Sequence, residues 1–174
     1  GQKRKIPQPI IKSHFASQFN DIVQNDLFFL WDSTFMLLID EAIRWKAGDQ
    51  IPNKQGPTIV KALYNTWLRF WGPPRHILSD QEGGLMSTEA TRLCDRLNIT
   101  RLLVGKGGVS SKGLVERHIA LTKYSMIKLA ASLRAEGITL SHSEICMEVC
   151  MAQNMLLEYN GGTPQVALTG QTQR

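Results

Sequence analysis

Asp80 and Glu116 are separated by 35 residues, and each sits in a distinctive setting: Asp80 closes the apolar run of ILSDQEGGL, and Glu116 opens the helical KGLVERH. Carboxylates are poor neighbours, since two of them about 4 Å apart repel by roughly 4 kcal/mol at an effective dielectric near 20. A fold that gathers them needs a compensating charge, and a divalent cation is the usual one. A third carboxylate is then expected upstream. Asp26 in DIVQNDLFFLW is the candidate, because it interrupts a run that otherwise reads as a buried strand. A lone ionised Asp in such a strand is costly to bury, whereas one bound to a metal is not.

These residues must be positioned by the elements around them. Residues 22–30 are rich in β-branched and aromatic side chains, Asp32-Ser33 supplies a turn, and residues 35–39 are apolar again, which predicts a β-hairpin. A third strand is expected within residues 45–51, followed by a loop over 52–57. Thr58 is expected to cap a helix whose apolar positions Val60, Leu63, Tyr64, Trp67, Leu68 and Trp71 recur at spacings of three and four. Gly72-Pro73-Pro74 ends it. Residues 76–79 form a short buried strand that delivers Asp80 at its C-terminal end, where α/β sheets place their ligands. A helix over 87–97, a strand over 99–104 and a Gly- and Ser-rich loop over 105–113 follow. Long helices are expected over 113–135 and 141–159, then a break at Gly161-Gly162 and a short turn from Thr163-Pro164. The order predicts an α/β fold with a five-stranded mixed sheet and helices on both faces.

With 174 residues, 43% of them hydrophobic, the chain suits one domain better than two. Its net charge of +5 leans towards a polyanionic partner. No apolar stretch approaches a membrane span and no signal-peptide pattern opens the chain, so a soluble, intracellular protein without a membrane partner is expected. Three cysteines without CxxC spacing give neither a disulfide framework nor a zinc finger. With Gly1 in place of Met, an excised fragment is expected. Residues 1–16, with Lys3, Arg4, Lys5, Pro7 and Pro9, read as a basic extended linker from an N-terminal domain, either a solvated tail or a DNA-contacting arm.

The blocks VQNDLFFLWD, FMLLIDEAIRW, FWGPPRHILSD, GLVERH and the late AQN-to-GGTP segment resemble those of retroviral and LTR-retrotransposon integrase catalytic cores, of the gypsy type in particular. The likeness covers residue 19 to the end, within a core domain over 17–174, and implies the RNase H-like fold. The Asp, Asp and Glu of that family follow the same order with 35 residues before the Glu. Two departures stand out: Glu82 occupies the place where the family usually has Gly, and GKGGVSSK lacks the proline often found before the Glu.

The resemblance implies that Asp26, Asp80 and Glu116 are both catalytic and metal-binding. Asp26 would bridge two Mg²⁺ ions (Mn²⁺ in vitro), with Asp80 completing one site and Glu116 the other. It implies a polynucleotidyl transferase that trims the 3′ ends of retroelement DNA and joins them to target DNA, in the nucleus at the integration step. It also implies a homodimer, larger assemblies on DNA, and weak activity of an isolated core. Lys123, seven residues after Glu116 and about 10 Å along the helix axis, matches a position that contacts the DNA end, and otherwise reads as a solvated lysine. Arg117 and Lys112 complete the expected DNA contacts. His118 is expected at the surface or on a DNA phosphate rather than on a metal.

Other readings compete. An RNase H-type nuclease generally needs a further acidic ligand on its first helix, and residues 58–71 contain none. A DNA transposase shares the chemistry but not the AQNMLLEYNGGTP segment. A domesticated or inactive copy would act only as a DNA-binding or interaction module. Asp40 and Asp32 read as structural, Glu82 as a loop carboxylate, and Cys146 and Cys150, four apart beside His142, as helix-core residues rather than zinc ligands. Trp67, Phe70 and Trp71 read as core or subunit interface.

Overall fold

The computed structural model describes residues 18–80, 84–104 and 113–170. Strand β1 (Ile22–Leu30) turns directly into β2 (Ser33–Asp40), and β3 (Lys46–Ile51) follows. Next come α1 (Gly56–Leu63), a π-helical stretch (Tyr64–Leu68) and a last turn α2 (Arg69–Trp71), then β4 (His76–Asp80), α3 (Thr88–Arg96) and β5 (Thr100–Val104). The helices α4 (Gly113–Ala135), α5 (His142–Leu156) and α6 (Pro164–Thr169) end the described chain. The five strands form one mixed sheet in the order β3-β2-β1-β4-β5, antiparallel from β1 to β3 and parallel from β1 through β4 to β5.

Helices cover both faces. Alternate residues of β2 show it: Met36 and Leu38 join Val23, Ile77, Ile59, Leu63, Trp67 and Leu93 on the α1 and α3 side. Phe35, Leu37 and Ile39 join Phe28, Val115, Met126, Cys146 and Val149 on the α4 and α5 side. Burial on both faces explains why β2 reads as a continuous apolar run rather than an alternating one. Cys146 and Cys150 pack in the second cluster as small hydrophobes.

Several local expectations shift. The β1–β2 turn is Trp31-Asp32, both at positive φ, one residue earlier than the expected Asp32-Ser33. Such a two-residue hairpin turn demands that conformation at both positions, and Trp31 packs there against His142 of α5, with ring centres 4.9 Å apart and the rings tilted by 38°. Helix α1 starts from Gln55, not Thr58, whose hydroxyl instead donates to Asn53 Oδ1 at 2.6 Å. Ser141 caps α5 with Glu144 as a capping box, and that helix stops at Leu156.

The AQN segment is explained by the edge strand. Asn154 accepts from the Lys46 backbone N–H at 2.8 Å and donates to the Lys46 carbonyl at 2.8 Å, pairing with β3 as another strand would. Gln153 accepts from the buried Lys46 ammonium and donates to Ser125 Oγ of α4 at 3.0 Å. Burial holds the Lys46 amine down at about 8. Replacing Asn154 by Ala strands both backbone groups, and each buried unsatisfied group costs about 1–3 kcal/mol. Asn154→Ala is therefore expected to lower the denaturant midpoint by an amount worth at least about 2 kcal/mol at unchanged slope. An unchanged midpoint would mean that these bonds do not anchor the edge.

Candidate active site

Side chains alternate along a strand, so parity decides which face each acidic residue joins. Val23 and Ile77 point towards α1 and α3. Gln24, Asp26 and Phe28 therefore point the other way, and Phe28 packs with Val115 of α4. In the parallel ladder Gln24 stands opposite Leu78, and two residues further along the two strands are Asp26 and Asp80. Asp80 is the last residue of β4, opposite Val104 of β5. Asp26 and Asp80 are half-buried on neighbouring strands, on the face that α4 covers.

Glu116 lies in the first turn of α4, immediately after the fully buried Val115, and is exposed. A carboxylate at a helix N-terminus also meets the positive end of the helix dipole. All three residues thus belong to one side of the sheet. Among the described residues, no three of His, Cys, Asp and Glu are gathered into a group able to hold a metal ion. The donor chemistry nevertheless suits Mg²⁺, which takes hard oxygen ligands. Glu82 and Lys112 lie outside the described residues.

On α4, Arg117 is exposed and Lys123 half-buried, and Lys128 sets its ammonium 4.8 Å from the ring centre of the exposed Tyr124. This cation–π pair escaped the sequence reading, although its spacing of four is the signal for it. His118 overturns an expectation. It is 5% exposed and faces inward, with Nε2 3.5 Å from the Tyr159 hydroxyl, so it lies neither at the surface nor on a phosphate. The helix turns about 200° between Glu116 and His118, which sends one out and the other in.

Asp40, read as structural from the sequence, is so. Asp40 Oδ1 accepts from Asn20 N–H and Oδ2 from Ile43 N–H, both at 2.8 Å, closing the turn between β2 and β3. His142 Nδ1 pairs with Ser33 Oγ at 2.8 Å. The sequence reading missed Gln24, whose side chain accepts from Val115 N–H at 3.0 Å and donates to Glu41 Oε1 at 2.7 Å. The signal was a pair of polar residues, Gln24 and Asn25, inside a strand expected to be buried.

No family model and no curated protein matches the sequence. Solved structures do. A chain of the simian T-cell lymphotropic virus intasome, in complex with PP2A regulatory subunit B56 gamma, aligns over 84% of this chain with TM-score 0.73 and 20% identity. This chain covers 53% of that one, about half its length. The HTLV-2 integrase catalytic core domain in complex with magnesium aligns over 84% of this chain and 94% of its own. Its dimeric form gives TM-score 0.71 and 18% identity. The trimeric form gives 0.69 and 19% with the same coverage. The chain has the RNase H-like α/β fold of a retroviral integrase catalytic core, with its five-stranded mixed sheet.

Two buried groups, His118 behind Glu116 on α4 and Asp40 at the β2–β3 turn, make the stability of the fold depend on pH. Burial, and then the positive charges of Lys46, Arg44 and Arg117, hold the His118 imidazole down at about 3. Below its ordinary value of 6.5 the unfolded chain takes up a proton that the folded chain refuses. This contribution to stability is therefore full above 6.5 and falls as pH drops towards about 3. Asp40 opposes it: burial pushes its carboxyl up from 3.8 to about 6, so its contribution is full below 3.8 and lost as pH rises through about 6. The His118 ring signals in NMR are expected to stay those of a neutral imidazole from pH 8 down to about 5. A midpoint near the ordinary histidine value would contradict its burial.

Proposed function

We propose that the chain is the catalytic core of an integrase, a metal-dependent polynucleotidyl transferase that trims the 3′ ends of retroelement DNA and joins them to target DNA. The observation that carries this reading is the arrangement of Asp26, Asp80 and Glu116 on one face of an integrase-type fold, two on adjacent strands and the third on the helix packed over them. These three residues would hold Mg²⁺, which when bound supplies charge to phosphate oxygens and lowers the pKa of an attacking water or 3′-hydroxyl. The half-buried strand positions of Asp26 and Asp80 hold their carboxylates against a rigid support. Arg117 and Lys123 on α4 supply positive charge towards a phosphate backbone, and Tyr124 with Lys128 continues that surface. With magnesium present, Asp80→Asn is expected to reduce disintegration of a branched oligonucleotide at least a hundredfold. Asp95→Asn, exposed on α3, should leave it unchanged. Equal activity of Asp80→Asn and the parent would reject the site.

A homodimer belongs to the same proposal. Phe70, Met147 and Met151 are exposed around an apolar cavity of about 510 Å³ that Trp45 and Trp71 also line. Exposed apolar surface of this kind marks an association site, and the HTLV-2 integrase core is described in a dimeric form. Light scattering at micromolar concentration is expected to return a dimer, and Phe70→Lys with Met151→Lys a monomer. A parent chain that stays monomeric at high concentration would refute the dimer.

A further inference from the structure

We infer that Gln24 is a positioning residue that sets the first turn of α4, and with it Glu116, above the strand that carries Asp26. This inference rests on the catalytic reading above. The first N–H groups of a helix have no partner within it. That of Val115 is buried with a side chain that is fully covered, so it needs an acceptor from elsewhere. Gln24, itself 4% exposed, supplies one: its Oε1 accepts from Val115 N–H at 3.0 Å, across 91 residues of sequence. The other end of the same amide donates to Glu41 Oε1 at 2.7 Å. Glu41 is buried too, and its backbone is tied to the sheet by its N–H to the Ile22 carbonyl at 3.0 Å and by the Arg44 guanidinium on its own carbonyl.

The amide can serve this chain in one orientation only. Turned over, its NH₂ would meet the Val115 N–H, and its oxygen would meet the Glu41 carboxylate. Glu41 thus selects the orientation of Gln24, and Gln24 sets the height and angle of the helix start. Asp26 lies two residues along the same face of β1, and Glu116 is the residue after Val115. A single side chain therefore joins the backbone positions of two of the proposed ligands. Displacement of about 1 Å at such a site is enough to cost two orders of magnitude in rate.

The test compares the parent chain with Gln24→Met, Gln24→Glu, Glu41→Gln and the double substitution Gln24→Glu with Glu41→Gln. The double substitution restores the hydrogen-bond chain with donor and acceptor exchanged, because the carboxylate at position 24 accepts from both Val115 N–H and the new amide at 41. Two readouts are used: amide exchange at Val115, and the single-turnover rate on a branched oligonucleotide as MgCl₂ is titrated. Gln24→Met, which offers no acceptor to Val115 N–H, and Gln24→Glu, whose carboxylate is repelled by the buried Glu41 carboxylate it then faces, are expected to lose Val115 protection at least tenfold. They should also lower the rate at least tenfold and raise the half-saturating magnesium several-fold, with oligonucleotide affinity within twofold of the parent. The double substitution should recover at least half of both losses. Lost protection with unchanged rate and magnesium requirement would overturn the positioning role while leaving the catalytic reading intact. A parent chain inactive with magnesium would instead sink the catalytic reading, and Val115 exchange alone would then decide whether the clasp holds α4. Should Gln24→Met fail to fold, the double substitution against Gln24→Glu still decides the matter, because failure of rescue refutes the inference.

Discussion

Both faces of strand β1 are covered by helices, so the polar atoms in its middle must find their partners inside the protein. Gln24 and Asn25 are buried there and Asp26 is half-buried. Gln24 turns to α4 and Glu41, and Asn25 turns to the Leu37 carbonyl of β2 at 3.4 Å. Burying such groups unpaired costs about 1–3 kcal/mol each. The polar middle of the strand therefore dictates where its neighbours lie. It ties the helix that carries Glu116 to the strand that carries Asp26, and so connects packing to the proposed chemistry.

The same demand recurs at the sheet edge and at the strand connections. Asn154 and Gln153 complete the polar groups of Lys46, and through Ser125 they join α5 to α4. Asn20 accepts from the Trp67 indole N–H at 2.8 Å and donates to the Trp71 carbonyl, while its own N–H goes to Asp40. These bonds fasten the start of β1, the end of the first helical region and the β2–β3 turn to one another. The hydrophobic clusters supply non-directional stabilisation, and the buried hydrogen bonds add direction to it.

Much of the secondary structure was legible. β1 spans residues 22–30 and α4 residues 113–135 as their apolar patterns predict, because periods of two and near four are local properties of the chain. The turn at Trp31 was not legible, since a bulky residue at positive φ is disfavoured locally and is held there by His142, 111 positions away. Nor was the burial of Lys46 and His118. Each is polar in type and carried inward by the face it occupies, where partners distant in sequence receive it.

Spacing and resemblance single out the three carboxylates, and their order along alternating strands and helices points to one end of the sheet as the place for the proposed site. Sequence by itself determined which residues carry the charge and which elements bear them, because residue type and periodicity are properties of the polymer. Only the tertiary structure decided that Asp26 and Asp80 share a face, that Glu116 turns outward while His118 turns in, and that Gln24 holds the helix start. Those outcomes follow from strand register and from the buried N–H of Val115, which has to find its acceptor across the fold.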